Sequence, residues 1–263
     1  MLRRVPAGGL HVDEISVAFG GLLALDSVSL DVGGSPAGEV VGVIGPNGAG
    51  KTTLFNVICG FVRPTSGRLR LGERELRRHR PHDLPRLGIA RTLQGVGLWS
   101  GLTALDNVMA GATARSRAGL WSGLFGLPRS ARDEAALRVR SMEALERLHV
   151  AEWADRAPQA LPYPIQKRVA LARALVCEPT LLLLDEPASG LSESEMHDLG
   201  DLIRSLRDDS DVLLVEHHMD LVMSVCDRIV VLDFGRVLAS GTPDEIRADP
   251  AVTEAYLGED VGA

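Results

Sequence analysis

Gly45-Pro46-Asn47-Gly48-Ala49-Gly50-Lys51-Thr52-Thr53 decides how this chain folds. The stretch fits G-x-x-x-x-G-K-[ST], a loop that cradles phosphates. Glu39-Val40-Val41-Gly42-Val43-Ile44 before it reads as a buried strand, and Leu54-Phe55-Asn56-Val57-Ile58 after it as a helix. That strand–loop–helix context separates the motif from a chance glycine-rich turn. Glycines let backbone N–H groups turn inward around phosphate oxygens, and the helix N-terminus that follows favours negative charge. Gly45, Pro46, Asn47, Gly48, Ala49, Gly50 and Thr53 form the expected cradle. Lys51, one of two lysines beside Lys167, reaches the β- and γ-phosphates, and the Thr52 hydroxyl suits Mg²⁺.

A second signal lies far along the chain. Leu181-Leu182-Leu183-Leu184 reads as a buried strand and ends on Asp185-Glu186-Pro187. A carboxylate there, beside a phosphate loop, can hold Mg²⁺ through its water shell, which suits Asp185. Glu186 is placed to orient or deprotonate an attacking water. Without the phosphate loop, two acids ending a strand are ordinary loop residues.

Val215-Glu216-His217 ends the next apolar run. A histidine at that point can donate to a γ-phosphate. His217 and His218 are adjacent; the first after the run, His217, is the candidate, and His218 reads as surface. Gln94, after Gly88-Ile89-Ala90-Arg91-Thr92-Leu93, is either a surface amide or a Mg²⁺ ligand that senses the γ-phosphate. Phe19, before Gly20, is either a core residue or a platform for a purine face.

The bulk properties bound the rest. A chain of 263 residues can bury a large core as one domain or a core with a subdomain. A net charge of −7 argues against a nucleic-acid partner held through phosphates. Arg68, Arg70, Arg74, Arg77, Arg78, Arg80, Arg86 and Arg91 cluster, interrupted by acids, and read as a solvated surface. Cys59, Cys177 and Cys226 are scattered and odd in number, which predicts free thiols without a disulfide frame or zinc site. No apolar run approaches the ~18 residues of a spanning helix, so any membrane role has to come through a partner.

Periodicity places the motifs. His11 to Val32 alternates near period two and predicts antiparallel strands broken at Gly20-Gly21. Arg63 to Gly67 is a turn. Thr103 to about Leu175 turns helical and predicts a separate lobe, with Gly111 to Arg129 a loop or short irregular helix. After Pro179, strands and helices alternate, which implies a mostly parallel sheet covered on both faces. Ser240-Gly241-Thr242-Pro243 opens a short helical tail.

In this order the pieces resemble the ATP-binding subunit of ABC transporters, from about Leu10 to Gly258, and especially the family serving branched-chain amino-acid uptake. Phe19-Gly20-Gly21-Leu22, Ala24-Leu25-Asp26, Gly50 to Asn56, Glu216 to Met223 and Ala255-Tyr256-Leu257-Gly258 carry that likeness. The resemblance implies an α/β fold: a RecA-like P-loop NTPase core, an antiparallel β subdomain and an inserted helical subdomain. One cassette would span 8–260, with its core at about 8–94 and 176–240, helical subdomain at about 95–175 and a tail at 241–263. It implies ATP and Mg²⁺, with Phe19 as adenine platform, Gln94 in the Q-loop and His217 as switch histidine. It implies a second ATP-binding subunit, identical or different, facing this one head to tail. It further implies transmembrane permease subunits gripped at the cytoplasmic face of the membrane, and indirectly a periplasmic or extracellular solute-binding protein. Two other readings are a soluble ABC ATPase without a membrane partner and a degenerate ATP-binding regulatory subunit.

One segment departs from the resemblance. The family's signature, Leu-Ser-Gly-Gly-Gln or a relative with Tyr-Gly in the middle, is here Leu161-Pro162-Tyr163-Pro164-Ile165-Gln166. Proline has no N–H to offer a phosphate. The expectation is a working site at this chain's own phosphate loop and a slow one where Leu161 to Gln166 completes a partner's. Ser192 also stands where the family usually has Asp or Asn.

Overall fold

The computed structural model describes residues 8–35, 37–92, 95–112 and 128–257. The chain divides into two compact units, Met1–Leu84 with Thr180–Ala263, and Pro85–Pro179. Strands run in chain order as β1 (Leu10–Phe19), β2 (Leu22–Val32), β3 (Val40–Ile44), β4 (Ser66–Leu71), β5 (Arg74–Glu75), β6 (Ile89–Arg91), β7 (Leu181–Asp185), β8 (Asp211–Val215), β9 (Arg228–Asp233) and β10 (Arg236–Gly241). The α-helices among the described residues are α1 (Lys51–Ile58), α2 (Ala104–Gly111), α3 (Pro128–Arg147), α4 (Tyr163–Leu175), α5 (Glu193–Leu206), α6 (Met219–Val225), α7 (Pro243–Ala248) and α8 (Pro250–Leu257).

The first unit holds two sheets. One is antiparallel, in the order β2-β1-β4-β5. Its β1–β2 hairpin turns at Gly20-Gly21, as the alternation predicts. In the other, β10, β9, β3, β8 and β7 are neighbours in that order. β3 runs parallel to β8 and β9, and β7 parallel to β8, while β10 returns antiparallel along β9. Every residue of β3, β7 and β8 is buried. Strands covered on both faces read as unbroken apolar runs, which is why these were visible in the sequence.

Two strand regions were not predicted. The arginine-rich stretch contains β4, where Leu69 is buried while Arg68 is exposed and Arg70 half-buried. The turn expected up to Gly67 gives way to β4 at Ser66. Arg70 pairs with Asp13 at 3.0 Å and Arg77 with Glu75 at 2.8 Å, so part of that cluster is paired on the sheet. β10 alternates exposed and half-buried residues and lacks a fully buried face, which hid it.

The second unit is mainly helical. Thr103 caps α2: Asp106 N–H donates to its hydroxyl at 3.1 Å, and that hydroxyl donates to the Asp106 carboxylate at 2.6 Å. Asn107 is fully buried and fully used. Its carboxamide donates to the carbonyls of Trp99 and Thr103 and accepts Trp99 N–H at 2.8 Å. Helix α3 already begins at Pro128, inside the stretch read as a loop or short irregular helix; residues 113–127 lie outside the described residues. The three cysteines are buried and form no disulfide. No helix of the described residues is long and apolar enough to cross a membrane.

Candidate active site

The phosphate loop sits between β3 and α1, and its glycines have steric reasons. Gly45 has φ 148°, and a Cβ there would lie 2.1 Å from the Leu232 carbonyl oxygen. Gly50, the N-cap of α1, has φ 101°, and a Cβ would meet the Ala24 carbonyl oxygen at 2.7 Å. Both positions combine left-handed backbone with close approach, so only glycine fits. The Lys51 ammonium reaches back across the loop and donates to the carbonyls of Gly45 and Pro46 at 2.5 and 2.7 Å. First-turn N–H groups of a helix lack intrahelical partners, so α1 presents donors and the positive end of its dipole at the same place.

A cleft of about 500 Å³ opens over this loop. Asn47 to Thr53 line it, and so do Phe19, Glu186 and His217. With Phe234, residues from five separate stretches of sequence share one opening. Asp185 ends β7 and is 6% exposed. Glu186 follows with φ 48°, its N–H donating to the Val215 carbonyl at 2.9 Å. His217 is exposed, whereas His218 turns its Nδ1 to the Glu216 carboxylate at 3.0 Å. His217 Nδ1 lies 3.5 Å from the same carboxylate and the two ring centres are 4.1 Å apart, but the cleft receives only the first histidine. Gln94 lies outside the described residues.

Phe19 is 49% exposed at the end of β1, so it is not a core residue. Sequence reasoning missed its counterpart, Phe234. This residue also lines the cleft, is 87% exposed and has φ 42°. It sits in the β9–β10 turn, where Gly235 N–H donates to the Ala49 carbonyl at 3.1 Å and pins the turn to the phosphate loop. The available signal was an aromatic residue directly before a glycine at the end of an apolar run.

The Leu161 to Gln166 segment belongs to the second unit. Leu161 is buried, Pro162 is the N-cap of α4, and Pro164 falls in the helix's first turn. Proline is tolerated there, so the helix forms normally. Gln166 is turned inward: its side-chain N–H donates to the Leu161 carbonyl at 2.9 Å. Tyr163 is exposed, with the Lys167 ammonium 5.4 Å from its ring centre. Further along α4, Arg173 donates to the Gly97 carbonyl at 2.7 Å and lies 5.1 Å from the Trp99 ring centre. Burial holds the Arg173 guanidinium below its ordinary pKa.

Residues 25–189 match the family described as ABC transporter. The chain belongs to that family. Residues 236–262 match a second description, branched-chain amino acid ATP-binding cassette transporter. The high-affinity branched-chain amino acid transport ATP-binding protein LivG of Salmonella typhimurium is 42% identical over 252 residues, covering 95% of this chain and 98% of LivG. Among solved structures, the ADP conformation of an ABC transporter's ATP-binding cassette matches with a TM-score of 0.81 and 30% identity. It covers 95% of this chain and 98% of that one. A dimeric cassette in a post-hydrolysis state, bound to ADP and Pi, matches with a TM-score of 0.72 and 25% identity over 89% of this chain and 98% of that one. The α/β fold is therefore that of an ABC ATPase cassette, and the activity is that of an ATPase.

Proposed function

We propose that this chain is the ATP-hydrolysing subunit of a membrane importer for branched-chain or other hydrophobic amino acids. The observation that carries the ATPase part is the shared cleft of Lys51, Glu186 and His217. The substrate part rests on the LivG likeness and the match over residues 236–262. The subunit works at the cytoplasmic face of the membrane, held there by permease subunits, and pairs with a second ATP-binding subunit. A solute-binding protein delivers the cargo.

ATP lies along the cleft with its base at Phe19 and its phosphates in the loop from Gly45 to Thr53. Lys51 exchanges the loop carbonyls for the β- and γ-phosphates. Loop N–H groups and the α1 dipole hold the charge that spreads over the phosphoryl oxygens. Glu186 accepts the proton of the attacking water, and His217 donates to the γ-phosphate. The donor set fits Mg²⁺, because a hydroxyl at Thr52 and a carboxylate at Asp185 are hard oxygen ligands; Gln94 is the further candidate. Bound there, Mg²⁺ neutralises charge on the phosphate oxygens.

The partner's phosphate loop meets Leu161 to Gln166. Pro162 stands where a hydroxyl donor belongs and Pro164 where an N–H belongs, so that second site hydrolyses slowly. Paired with a different subunit whose signature keeps those donors, this chain gives a dimer with one fast and one slow site.

Reconstitution tests the transport reading. The chain, its cognate permease and its binding protein are placed in proteoliposomes, and ATP-dependent uptake of labelled leucine, isoleucine and valine is measured. Uptake that needs all components and disappears with Lys51→Ala is expected. ATP turnover unaffected by any hydrophobic amino acid would remove the assigned cargo.

A further inference from the structure

Glu216 is a charged residue that the mechanism above does not use. Its side chain is fully buried at the end of β8. Burying a carboxylate is costly unless hydrogen bonds replace its water. Here they are supplied by backbone. One carboxylate oxygen accepts Ala188 N–H at 2.7 Å. The other accepts the N–H groups of His217 at 2.8 Å and His218 at 3.2 Å, with His218 Nδ1 at 3.0 Å. Glu216, His217 and His218 also bring three potential ligand atoms within 4.8 Å of one another. An oxygen already filled by two N–H donors makes a poor cation ligand, so the arrangement reads as a strut.

The strut joins two loops. Ala188 lies two residues after Glu186, while His217 begins the loop after β8. Glu186 needs such a support. Its φ of 48° is left-handed, which is uncommon outside glycine, and it precedes Pro187, which crowds its backbone further. Strained backbone persists where the surroundings over-determine it. Glu186 is clamped on one side by its N–H to the Val215 carbonyl, and just beyond Pro187 by Ala188 N–H to Glu216. Both clamps end on adjacent residues, Val215 and Glu216.

We propose that Glu216 is a positioning residue, which holds the Glu186 turn and the His217 backbone at fixed separation so that both face the γ-phosphate together. The proposal rests on the roles given to Glu186 and His217 above. It touches neither the phosphate loop nor the base platform, so it predicts a loss in turnover without a loss in nucleotide affinity.

Glu216→Gln keeps the shape but places an amide N–H₂ against N–H donors at one end of the strut. In the assembled transporter, kcat for ATP is expected to fall about 10- to 100-fold, the scale for a misplaced reacting group. KM and the Kd for ATP should stay within about twofold. Glu216→Asp keeps the charge but shortens the reach by one methylene, and it should not restore kcat. It carries the test by itself if the Gln variant fails to fold. Unchanged kcat in a folded variant, or parallel losses in kcat and affinity, overturns the strut. Wild-type protein that binds ATP without hydrolysing it would instead overturn the function on which the strut rests.

Discussion

Two helix N-termini set the contrast in this molecule. Helix α1 opens on Gly50 and a glycine-rich loop, and its cleft gathers Lys51, Glu186 and His217. Helix α4 opens on Pro162, with Pro164 in its first turn. Both fold as helices, because a first turn needs no N–H for its own bonding. They differ in what they can offer a phosphate. The first supplies backbone donors and a lysine; the second has lost a donor at Pro164 and has no hydroxyl at Pro162. Folding and function make separate demands on the same positions, and only the functional demand separates the two ends.

The largest expected effect breaks the first end. Lys51→Ala removes a charge-assisted contact to phosphate worth roughly 1.5–3 kcal/mol, or about 10- to 100-fold in ATP affinity. Calorimetry with MgATP reads it directly. Next comes making the second end resemble the first. Pro164→Gly, alone and with Pro162→Ser, should raise ATP turnover of the assembled transporter by up to about twofold, as the slow site recovers a charge-assisted hydrogen bond and approaches the rate of the fast one. No gain in steady-state turnover would refute the assigned asymmetry. Phe19→Ala tests the base platform and should weaken ATP binding by several-fold to about tenfold, since aromatic stacking contributes roughly 1–3 kcal/mol per base. Phosphate release at saturating ATP should change little.

The smallest effect belongs to Cys226 at the C-terminal end of α6. Burial, and secondarily the Asp227 charge, push the Cys226 thiol from its ordinary 9 up to about 12. The folded state therefore binds this proton more tightly than the unfolded chain does. Its contribution to stability is complete below pH 9 and is lost as pH rises from 9 towards 12. Melting temperatures over that range should fall more steeply for wild type than for Cys226→Ala.

What the sequence made legible follows from how each element earns its stability. β3, β7 and β8 are buried throughout and appear as apolar runs, so the parallel core was readable. The phosphate loop was readable because Gly45 and Gly50 have steric reasons that no other residue meets. β4 was hidden because Arg68 and Arg70 extend from a strand whose buried contribution includes Leu69, and charge masked the alternation. Glu216 was passed over because burial of a carboxylate depends on N–H groups of Ala188, His217 and His218 that only the folded chain brings to it. Phe234 was missed for a similar reason: its place at the cleft depends on Gly235 binding Ala49.

The central claim is that the cleft over α1 binds ATP through its loop and cleaves it through Glu186. Glu186→Gln in the assembled transporter separates the two steps in one experiment. The account predicts retained MgATP affinity, with single-turnover hydrolysis slowed by about 100-fold or more, the scale of a lost general base. Hydrolysis at the wild-type rate in that variant would contradict it.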